Sequence, residues 1–288
     1  MKSFILLILI STSLQLFASE KVIYGEDNRV DVVDCDNPLY VDLAHSTAAQ
    51  ITSSNITKDG DRYKIDGSSL AFEYRVCKDE RYASQKTVAN CSGFLVKDDL
   101  LVTAGHCIKT MNDCRRRHWV FGYYADESGQ TVTTLPKENI YRCTEIISQT
   151  LDSGTKNDFA LIRLDRAVVG RNPLQVRTSG KIKKGTELVI IGHPLGLPAK
   201  IADNAFVRSN IKQKYFAANL DSFGGNSGSA VINIETGLVE GILVRGERDF
   251  IYDSSTRCNR MKRCSNNGCK GEDVTRITNI SKLMEILR

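Results

Sequence analysis

Short apolar runs, separated at close intervals by Gly, Asn, Asp and Ser, recur along most of the chain after its first residues. Runs of about four to eight residues between such turn formers are typical of short antiparallel strands. The predicted strands are residues 92–96, 100–103, 119–124, 159–164, 187–191, 205–209, 215–219, 230–234 and 238–244. The pattern predicts an all-β fold in which long helices are nearly absent.

The C-terminus departs from the strand pattern. Apolar residues recur there at helical spacing, namely Ile280, Leu283, Met284 and Leu287. Asn279 precedes them as the predicted N-cap. We therefore predict a short amphipathic helix that closes the chain.

The length of the chain, 288 residues, favours two domains of moderate size, because single cores seldom grow much beyond about 250 residues. Residues 166–185 are rich in Gly, Lys, Arg and Ser and lack a sustained apolar pattern. They are the predicted interdomain connection, with a first domain over residues 22–165 and a second over residues 186–288.

The first residues have the parts of a secretory leader. Lys2 supplies a positive charge, residues 4–10 form an unbroken apolar run, and residues 14–18 form a second apolar stretch that ends in a small residue. A membrane anchor is the alternative, but polar residues interrupt the apolar run well short of the roughly 20 residues that a spanning helix needs. We therefore predict a signal peptide over residues 1–18 and no membrane span after its removal.

Cysteine usage agrees with export. The chain has nine cysteines and only four histidines, and cytosolic proteins seldom carry so many thiols without metal-ligand spacing. We expect a secreted or periplasmic protein.

The charge of the chain is mild for its size. A formal charge of +5 arises from 39 basic and 34 acidic residues, which does not suggest a nucleic-acid partner. The basic cluster at residues 115–118 is interpreted as a solvated surface.

Three short motifs contain the residue types of nucleophilic catalysis. His106 lies in the motif TAGHC, at the end of an apolar strand. Asp158 lies in the motif NDFAL, where it begins another apolar run. Ser227 lies in the motif GNSGS, with glycines on both sides of it. Each motif alone has a plainer explanation, as a structural histidine, a turn aspartate or a glycine-rich turn. Their chain order is His, Asp, Ser, whereas α/β-hydrolases have the order Ser, Asp, His and need an alternation of strands and helices that is absent here.

In this order the three motifs resemble the catalytic blocks of the trypsin/chymotrypsin-like serine proteases. The resemblance extends over residues 91–245. It implies two antiparallel six-stranded β-barrels with the active site in the cleft between them. The first domain would be the barrel that carries His106 and Asp158, and the second the barrel that carries Ser227.

The resemblance also implies a role for each residue. Ser227 would be the nucleophile, His106 the general base and then the general acid, and Asp158 the carboxylate that orients the imidazole and stabilises its charged form. The backbone amides of Gly225 and Ser227 would form the oxyanion hole.

Cys91 and Cys107 stand where this family commonly ties the histidine loop to the preceding strand, so the resemblance implies a disulfide between them. The pairing of the remaining cysteines stays open; they are Cys35, Cys77, Cys114, Cys143, Cys258, Cys264 and Cys269. The last three lack C-x-x-C spacing and a nearby histidine, which favours disulfides over a metal site. Neither a metal nor another cofactor is expected.

Asn226 departs from the trypsin pattern. Trypsins have an aspartate at this position, which pairs with the new N-terminal amine after zymogen cleavage. This activation mechanism cannot operate unchanged here, because Asn226 has no carboxylate. The GNSGS motif and residues 22–29 are more similar to the bacterial glutamyl-endopeptidase-like branch, in which a valine comparable to Val22 is the processed N-terminus. Residues 19–21 would then be a very short propeptide.

Two features of the resemblance disagree about specificity. Asp221 lies six residues before the nucleophile, where trypsins place the pocket carboxylate that selects Arg or Lys. The glutamyl-specific branch instead uses a pocket histidine after a Gly-Ile pair, and that residue is Leu243 here. The residues expected to line the pocket are Asp221, Ser222, Arg245 and Gly246. They favour cleavage after Arg or Lys, unless Arg245 turns inward and pairs with Asp221.

The sequence therefore predicts an exported serine endopeptidase, acting as a monomer on protein or peptide substrates. Three alternatives remain: the same protease with acidic or apolar specificity, an esterase acting on small acyl substrates, and a catalytically silent binding protein on the same scaffold, since a fold does not guarantee activity.

Overall fold

A computed structural model describes residues 22–288. The predicted signal peptide, residues 1–18, and the predicted propeptide, residues 19–21, lie outside the described residues. The strands up to residue 164 are β1 (Ile23–Tyr24), β2 (Arg29–Asp31), β3 (Thr47–Thr52), β4 (Ile56–Asp59), β5 (Arg62–Ile65), β6 (Ser68–Ser69), β7 (Lys86–Thr87), β8 (Cys91–Lys97), β9 (Leu100–Thr103), β10 (Arg117–Phe121), β11 (Thr134–Pro136), β12 (Ile140–Leu151) and β13 (Asp158–Leu164).

The later strands are β14 (Glu187–Gly192), β15 (Lys200–Ser209), β16 (Tyr215–Ala218), β17 (Ala230–Asn233), β18 (Val239–Arg245), β19 (Phe250–Asp253), β20 (Cys258–Met261), β21 (Arg263–Cys264) and β22 (Glu272–Arg276). The α-helices are α1 (Pro38–His45), α2 (Leu70–Glu73), α3 (Met111–Arg116) and α4 (Ser281–Ile286). Within residues 22–288, no helix combines the length and the apolar character that crossing a bilayer requires.

The first barrel is a closed sheet of six antiparallel strands. Its strands neighbour one another in the order β10, β12, β13, β9, β8 and β3, and β3 pairs back with β10. Its interior is filled by large apolar side chains that include Leu95, Leu101, Trp119, Phe121 and Ile162. Closure leaves no open sheet edge in this barrel.

The second barrel also closes on six antiparallel strands. The order is β14, β17, β18, β22, β16 and β15, and β14 pairs with β15 to complete the ring. Leu188, Ile190, Val207, Phe216 and Val231 are among the side chains that fill it. The predicted all-β fold of two six-stranded barrels is therefore confirmed.

A shared apolar cluster joins the barrels. Phe94 and Val102 of the first barrel belong to the same buried cluster as Val189 and Ile242 of the second, and Leu283 of helix α4 packs in the same cluster. Because this surface is removed from water on both sides, it holds the two barrels at a fixed cleft.

Three barrel strands were not predicted from the sequence: β3, β12 and β22. β3 has the sequence TAAQIT, in which Ile51 is the only large apolar residue, so it shows no apolar run or alternation although all but its last residue are buried. Much of β12 is partly or fully exposed and polar. β22 contains charged residues whose partners lie on other segments. Apolar alternation reveals only strands with one simple apolar face.

Helix α4 is present as predicted, but its predicted cap is wrong. The N-cap position is occupied by Ile280, which makes no side-chain capping bond. The Asn279 amide instead donates to Oδ1 of Asn157 at 2.9 Å and to the carbonyl of Lys214 at 2.7 Å. Tertiary partners thus take the side chain that local capping would have used.

Four disulfides occur in the structure. They join Cys77 to Cys258, Cys91 to Cys107, Cys114 to Cys143 and Cys264 to Cys269. The structure contains the Cys91–Cys107 bond that the family resemblance implied. Cys35 is the one free cysteine among the described residues. Four disulfides suggest an extracytoplasmic protein.

The N-terminal segment, residues 22–31, joins the second barrel. β2 pairs antiparallel with β15, and β1 pairs in parallel with β21. The predicted first domain, residues 22–165, therefore includes a strand that extends the second sheet. Local sequence could not indicate this, because the partner of β2 begins only at Lys200.

A buried ion pair links β2 to β15, the strand with which it pairs. The Lys200 ammonium binds the carboxylate of Asp31 and donates to Oε1 of Gln85 at 2.7 Å, with both charged side chains almost fully buried. Burial lowers the pKa of Lys200 to about 8, against the opposing effect of Asp31. Removal of one partner would leave an uncompensated buried charge.

Asp221 anchors the remainder of the N-terminal segment. Its Oδ1 accepts a hydrogen bond from the amide of Tyr24 at 2.6 Å, and its Oδ2 accepts one from the amide of Asn28 at 2.9 Å. Next to it, the Ser222 amide donates to the carbonyl of Val22 at 3.1 Å. Burial raises the pKa of Asp221 to about 6, although these amides favour the charged carboxylate.

Two disulfides that close loops of very different length can be compared by removing each of them. Replacing Cys77 and Cys258 by Ser opens a loop of 181 residues and should lower the free energy of unfolding by about 5 kcal/mol on the chain-entropy model. The matched control, Cys264→Ser with Cys269→Ser, opens a loop of five residues and should cost about 2 kcal/mol. Equal losses in denaturant titrations of the two variants would contradict this ranking.

The raised pKa of Asp221 makes stability depend on pH. The folded chain binds the Asp221 proton more tightly than the unfolded chain, whose pKa is near 3.8. The contribution of this group therefore falls as pH rises from about 4 to 6. In denaturant titrations, the stability of the wild type relative to Asp221→Asn should decline by about 3 kcal/mol between pH 4 and 7. A stability difference between the wild type and Asp221→Asn that stays constant with pH would show that the Asp221 carboxylate is not buried as described.

Candidate active site between the barrels

His106 lies in a short 3-10 turn, Gly105–Cys107, directly after β9. Two constraints fix this turn. Cys107 is bonded to Cys91 on β8, and a Cβ at Gly105 would overlap the carbonyl of Thr150 on β12. Only glycine permits so close an approach of the turn to the barrel wall.

Asp158 binds His106 twice. Oδ2 of Asp158 lies 2.8 Å from Nδ1 of His106, and Oδ1 accepts the His106 backbone amide at 3.1 Å. Because an ionised carboxylate only accepts hydrogen bonds, the proton of the neutral imidazole belongs on Nδ1 and Nε2 is the acceptor. The Asp158 side chain is 3% exposed and that of His106 is 26% exposed, so the ring can reach a substrate while its partner is shielded from water.

The Ser227 loop depends on two glycines with positive φ. Gly225 has φ 87° and Gly228 has φ 92°, a region that side chains other than glycine rarely adopt. A Cβ at Gly225 would overlap the carbonyl of His193, and one at Gly228 would overlap the carbonyl of Ser92. The loop is therefore a tight turn pressed against its surroundings, with Ser227 at its centre.

Ser92, on β8 of the first barrel, holds this loop of the second barrel. Its amide donates to the Ser227 carbonyl at 2.8 Å, and its hydroxyl donates to the Gly225 carbonyl at 2.9 Å. The same hydroxyl accepts the His193 amide at 2.9 Å, and Thr103 donates to the Ser92 carbonyl at 2.7 Å. Ser92 was not predicted as a site residue, since a single serine in a strand gives no signal.

The Ser227 loop thus lies beside the His106 turn. The Ser227 carbonyl is 3.7 Å from Sγ of Cys107, the residue that follows His106. The geometry therefore brings all three predicted catalytic residues to one place between the barrels. The catalytic roles, and the oxyanion-hole role of the Gly225 and Ser227 amides, stay predictions.

His193 lies near the site but is not a second base. It is fully buried, its Nδ1 lies 3.0 Å from the carbonyl of Leu197, and its ring stacks on Tyr123. Burial lowers the pKa of His193 to about 4, so the ring is neutral at physiological pH. We interpret it as structural.

A compact group of possible metal ligands consists of Cys91, His106 and Cys107. The two sulfur atoms are joined in a disulfide. A disulfide sulfur cannot act as the thiolate that zinc and similar metals require. This group is therefore part of the histidine loop and not a metal centre.

Arg245 does not pair with Asp221. Its Nε lies 3.2 Å from Oδ2 of Asp273, one of its terminal nitrogens lies 3.9 Å from Oδ2 of Asp158, and the other donates to the Lys156 carbonyl at 3.1 Å. The alternative in which Arg245 turns inward and pairs with Asp221 does not occur, because carboxylates on β22 and β13 hold the guanidinium. It adds a positive charge beside the carboxylate that binds His106.

The predicted pocket residues do not converge on Asp221. Both oxygens of the Asp221 carboxylate accept amides of the N-terminal segment, so Asp221 serves as an anchor and the expectation of a substrate-facing Asp221 is corrected. Ser222 and Gly246 do lie together, on either side of Glu272. The Ser222 hydroxyl donates to Oε2 of Glu272 at 2.8 Å, and a Cβ at Gly246 would overlap that carboxylate.

Glu272 was missed from the sequence. It is fully buried at the first position of β22. A glutamate at a buried strand position is an unusual placement, since glutamates are almost never fully buried unless they are paired. This unusual placement could have identified Glu272 from the sequence only if the strand β22 had been predicted.

Two solved structures show the same fold. A Glu endopeptidase in complex with MPD superposes with a TM-score of 0.51 over 92% of this chain and 99% of that chain, at 17% sequence identity. The active form of the Rv3671c protease from M. tuberculosis superposes with a TM-score of 0.51 over 93% of this chain and 91% of that chain, at 13% identity. At such identities the likeness concerns the fold alone.

No curated protein matches the sequence. The model of the trypsin-like peptidase domain matches residues 91–242. This match covers just over half of the chain, and it includes the motifs of His106, Asp158 and Ser227. The chain therefore belongs to the trypsin-like peptidase domain family.

Proposed function

We propose that the protein is an exported serine endopeptidase that hydrolyses peptide bonds through an acyl-enzyme on Ser227. The observation that carries this proposal is the 2.8 Å contact of His106 Nδ1 with Asp158 Oδ2, beside the loop that presents Ser227. The four disulfides support export. We expect the protein to act as a monomer.

The chemistry follows from the protonation state of the imidazole. With its proton on Nδ1, held by Asp158, His106 offers Nε2 as the base that takes the Ser227 proton during attack on the substrate carbonyl. The buried Asp158 carboxylate then stabilises the imidazolium. The amides of Gly225 and Ser227 would donate to the oxyanion of the tetrahedral intermediate.

Collapse of the intermediate needs a proton on the leaving amine. The imidazolium of His106 supplies it, and an ester remains on Ser227. Water then enters in place of the amine, gives a proton to His106 and attacks the ester. The second intermediate releases the carboxylic acid and restores the Ser227 hydroxyl, so that the enzyme returns to its starting state.

We further propose that cleavage follows Arg or Lys. The support is the buried carboxylate of Glu272, which contacts Ser222 and Gly246, two residues that the resemblance places in the pocket. Such an enzyme could cleave its own chain after Lys21. Val22, the next residue, is fully buried, and its carbonyl accepts the Ser222 amide, so the segment that would begin there packs against the second barrel.

The nucleophile can be tested directly. Ser227→Ala removes one hydroxyl and should lower kcat/KM on a mixed peptide library by at least about 1,000-fold while the circular dichroism spectrum stays unchanged. An uncharged fluorophosphonate should label the wild type at Ser227, as located by mass spectrometry, and should not label the variant.

The matched control is Ser128→Ala, which removes a hydroxyl from an exposed turn of the first barrel. Its labelling and peptide hydrolysis should equal those of the wild type. Folded wild-type protein that neither labels at Ser227 nor cleaves any peptide would instead support the catalytically silent binding protein. Ester hydrolysis without peptide hydrolysis would support the esterase.

A further inference from the structure

Arg245 reaches across the cleft from the second barrel to the first. It is the last residue of β18. Its Nη1 forms an ion pair with Oδ2 of Asp158 at 3.9 Å, and its Nη2 donates to the carbonyl of Lys156 at 3.1 Å. Lys156 lies in the loop that leads into β13, where it has a positive φ of 62°. One side chain of the second barrel therefore contacts both the Asp158 carboxylate and the loop before it.

The guanidinium of Arg245 is also held on its own barrel. Its Nε donates to Oδ2 of Asp273 at 3.2 Å, and Asp273 lies directly opposite Arg245 in the pairing of β18 with β22. The guanidinium carbon lies 5.4 Å from the centre of the Tyr215 ring on β16, a separation at which a cation is attracted to the ring. Because three of its contacts do not involve Asp158, the guanidinium is positioned independently of the carboxylate that it meets.

Arg245 and His106 approach the same oxygen atom. Oδ2 of Asp158 lies 2.8 Å from Nδ1 of His106 and 3.9 Å from Nη1 of Arg245. When His106 takes up a proton, two positive charges lie against this one oxygen. The carboxylate stabilises the imidazolium, whereas the guanidinium repels it. The charge of Arg245 therefore favours the neutral imidazole, which is the form that can accept a proton.

Other titratable or charged side chains near this network modify the effect. They are Asp273 of β22, Tyr215 of β16, Lys156 before β13 and Lys270 before β22. Asp273 opposes the charge of Arg245. Burial raises the pKa of Asp273, although the positive charge of Arg245 acts in the opposite direction. Arg245 is thus the one cation of this group that contacts the Asp158 carboxylate, and Asp273 is the anion that offsets it.

We propose that Arg245 is a positioning residue of the active site, which holds the Asp158 carboxylate from across the cleft and, by its charge, extends peptide hydrolysis to lower pH. The inference rests on the proposed protease function. It gives Arg245 a task in catalysis in place of the role in the substrate pocket that its position in the sequence suggested. The second barrel would then supply a support for the histidine and aspartate of the first barrel, in addition to the serine.

The first test is Arg245→Gln, which removes the charge and keeps a polar side chain. At the pH optimum, kcat should fall by about tenfold while KM stays within about twofold of the wild type. The acid limb of the profile of kcat/KM against pH should move upward by about half a unit to one unit, because the imidazole then takes up its proton at higher pH. A raised KM with an unchanged kcat would identify Arg245 as a substrate-binding residue and overturn the proposal.

The matched control is Arg163→Gln. Arg163 also binds two carboxylates, those of Glu145 at 3.0 Å and Asp99 at 2.6 Å, and it lies on the same strand as Asp158. Five residues of a strand separate the two positions by about 16 Å, which exceeds a Debye length at physiological ionic strength. Its kcat and its acid limb should equal those of the wild type, and a shift as large as that in Arg245→Gln would overturn the specific role of Arg245.

Asp273→Asn tests the sign of the effect. It removes the negative charge that offsets Arg245 and keeps an oxygen that can accept from Nε. The acid limb should therefore move downward, opposite to the shift in Arg245→Gln, by about 0.3 unit. Upward movement in both variants would show that the network is only a structural support and would overturn the role of the charge.

A variant that keeps the charge covers the case in which Arg245→Gln does not fold. Arg245→Lys has one ammonium in place of the planar guanidinium, so it cannot bind the Asp158, Asp273 and Lys156 oxygens together. Its kcat should fall several-fold at the pH optimum with little change in KM. An unchanged kcat in Arg245→Lys would overturn the positioning role.

Titration of His106 by NMR tests the arrangement without catalysis. The reference protein is Ser227→Ala, and the His106 ring signal is identified among the four histidines by its absence in His106→Gln. Adding Arg245→Gln to the reference should move the midpoint of this titration upward by about half a unit to one unit. An unmoved midpoint would overturn the role of Arg245, whether or not the wild type cleaves peptides. Wild-type protein that a fluorophosphonate does not label at Ser227 would instead remove the proposed function.

Discussion

The hydrogen bonds of Ser92 set the relative position of the two barrels at the cleft. Its amide and its hydroxyl donate to the carbonyls of Ser227 and Gly225, and its own carbonyl lies so close to Gly228 that only glycine fits there. A shared apolar cluster brings the barrels together without regard to direction. These directional bonds decide which loop meets which turn, so the placement of the serine beside the histidine depends on them.

The sequence predicted what depends on residues close together in the chain. The motifs of His106, Asp158 and Ser227, the Cys91–Cys107 bond and most barrel strands all have local signals. The residues of the pocket were harder to predict from the sequence. The spacing of Asp221 from the predicted nucleophile indicates where this residue lies, but not where its side chain points. That direction is decided by backbone amides almost 200 positions earlier. Glu272 was not predicted because its strand is polar and its partners Ser222 and Tyr24 are distant in sequence.

The N-terminal segment has a structural role that differs from the trypsin arrangement. With Asn226 before the nucleophile, a new terminal amine would find no carboxylate at that position. The segment is fixed by other contacts: backbone amides on Asp221, the Lys200–Asp31 ion pair and strand pairing with β15. Through the Tyr24 hydroxyl it also touches Glu272. The position of the first described residues is therefore linked to that of the buried Glu272 carboxylate.

The Cys77–Cys258 bond has a consequence for damage by proteolysis. It joins a loop that precedes the His106 turn to the hairpin of β19 and β20. The largely exposed connection between the barrels, residues 166–185, contains several Arg and Lys residues. A cut after one of these residues would produce two polypeptides that remain covalently joined by the Cys77–Cys258 bond. The β2 strand would also stay paired with β15. Cleavage at the connection would thus convert one chain into a two-chain molecule held together by this disulfide and by strand pairing.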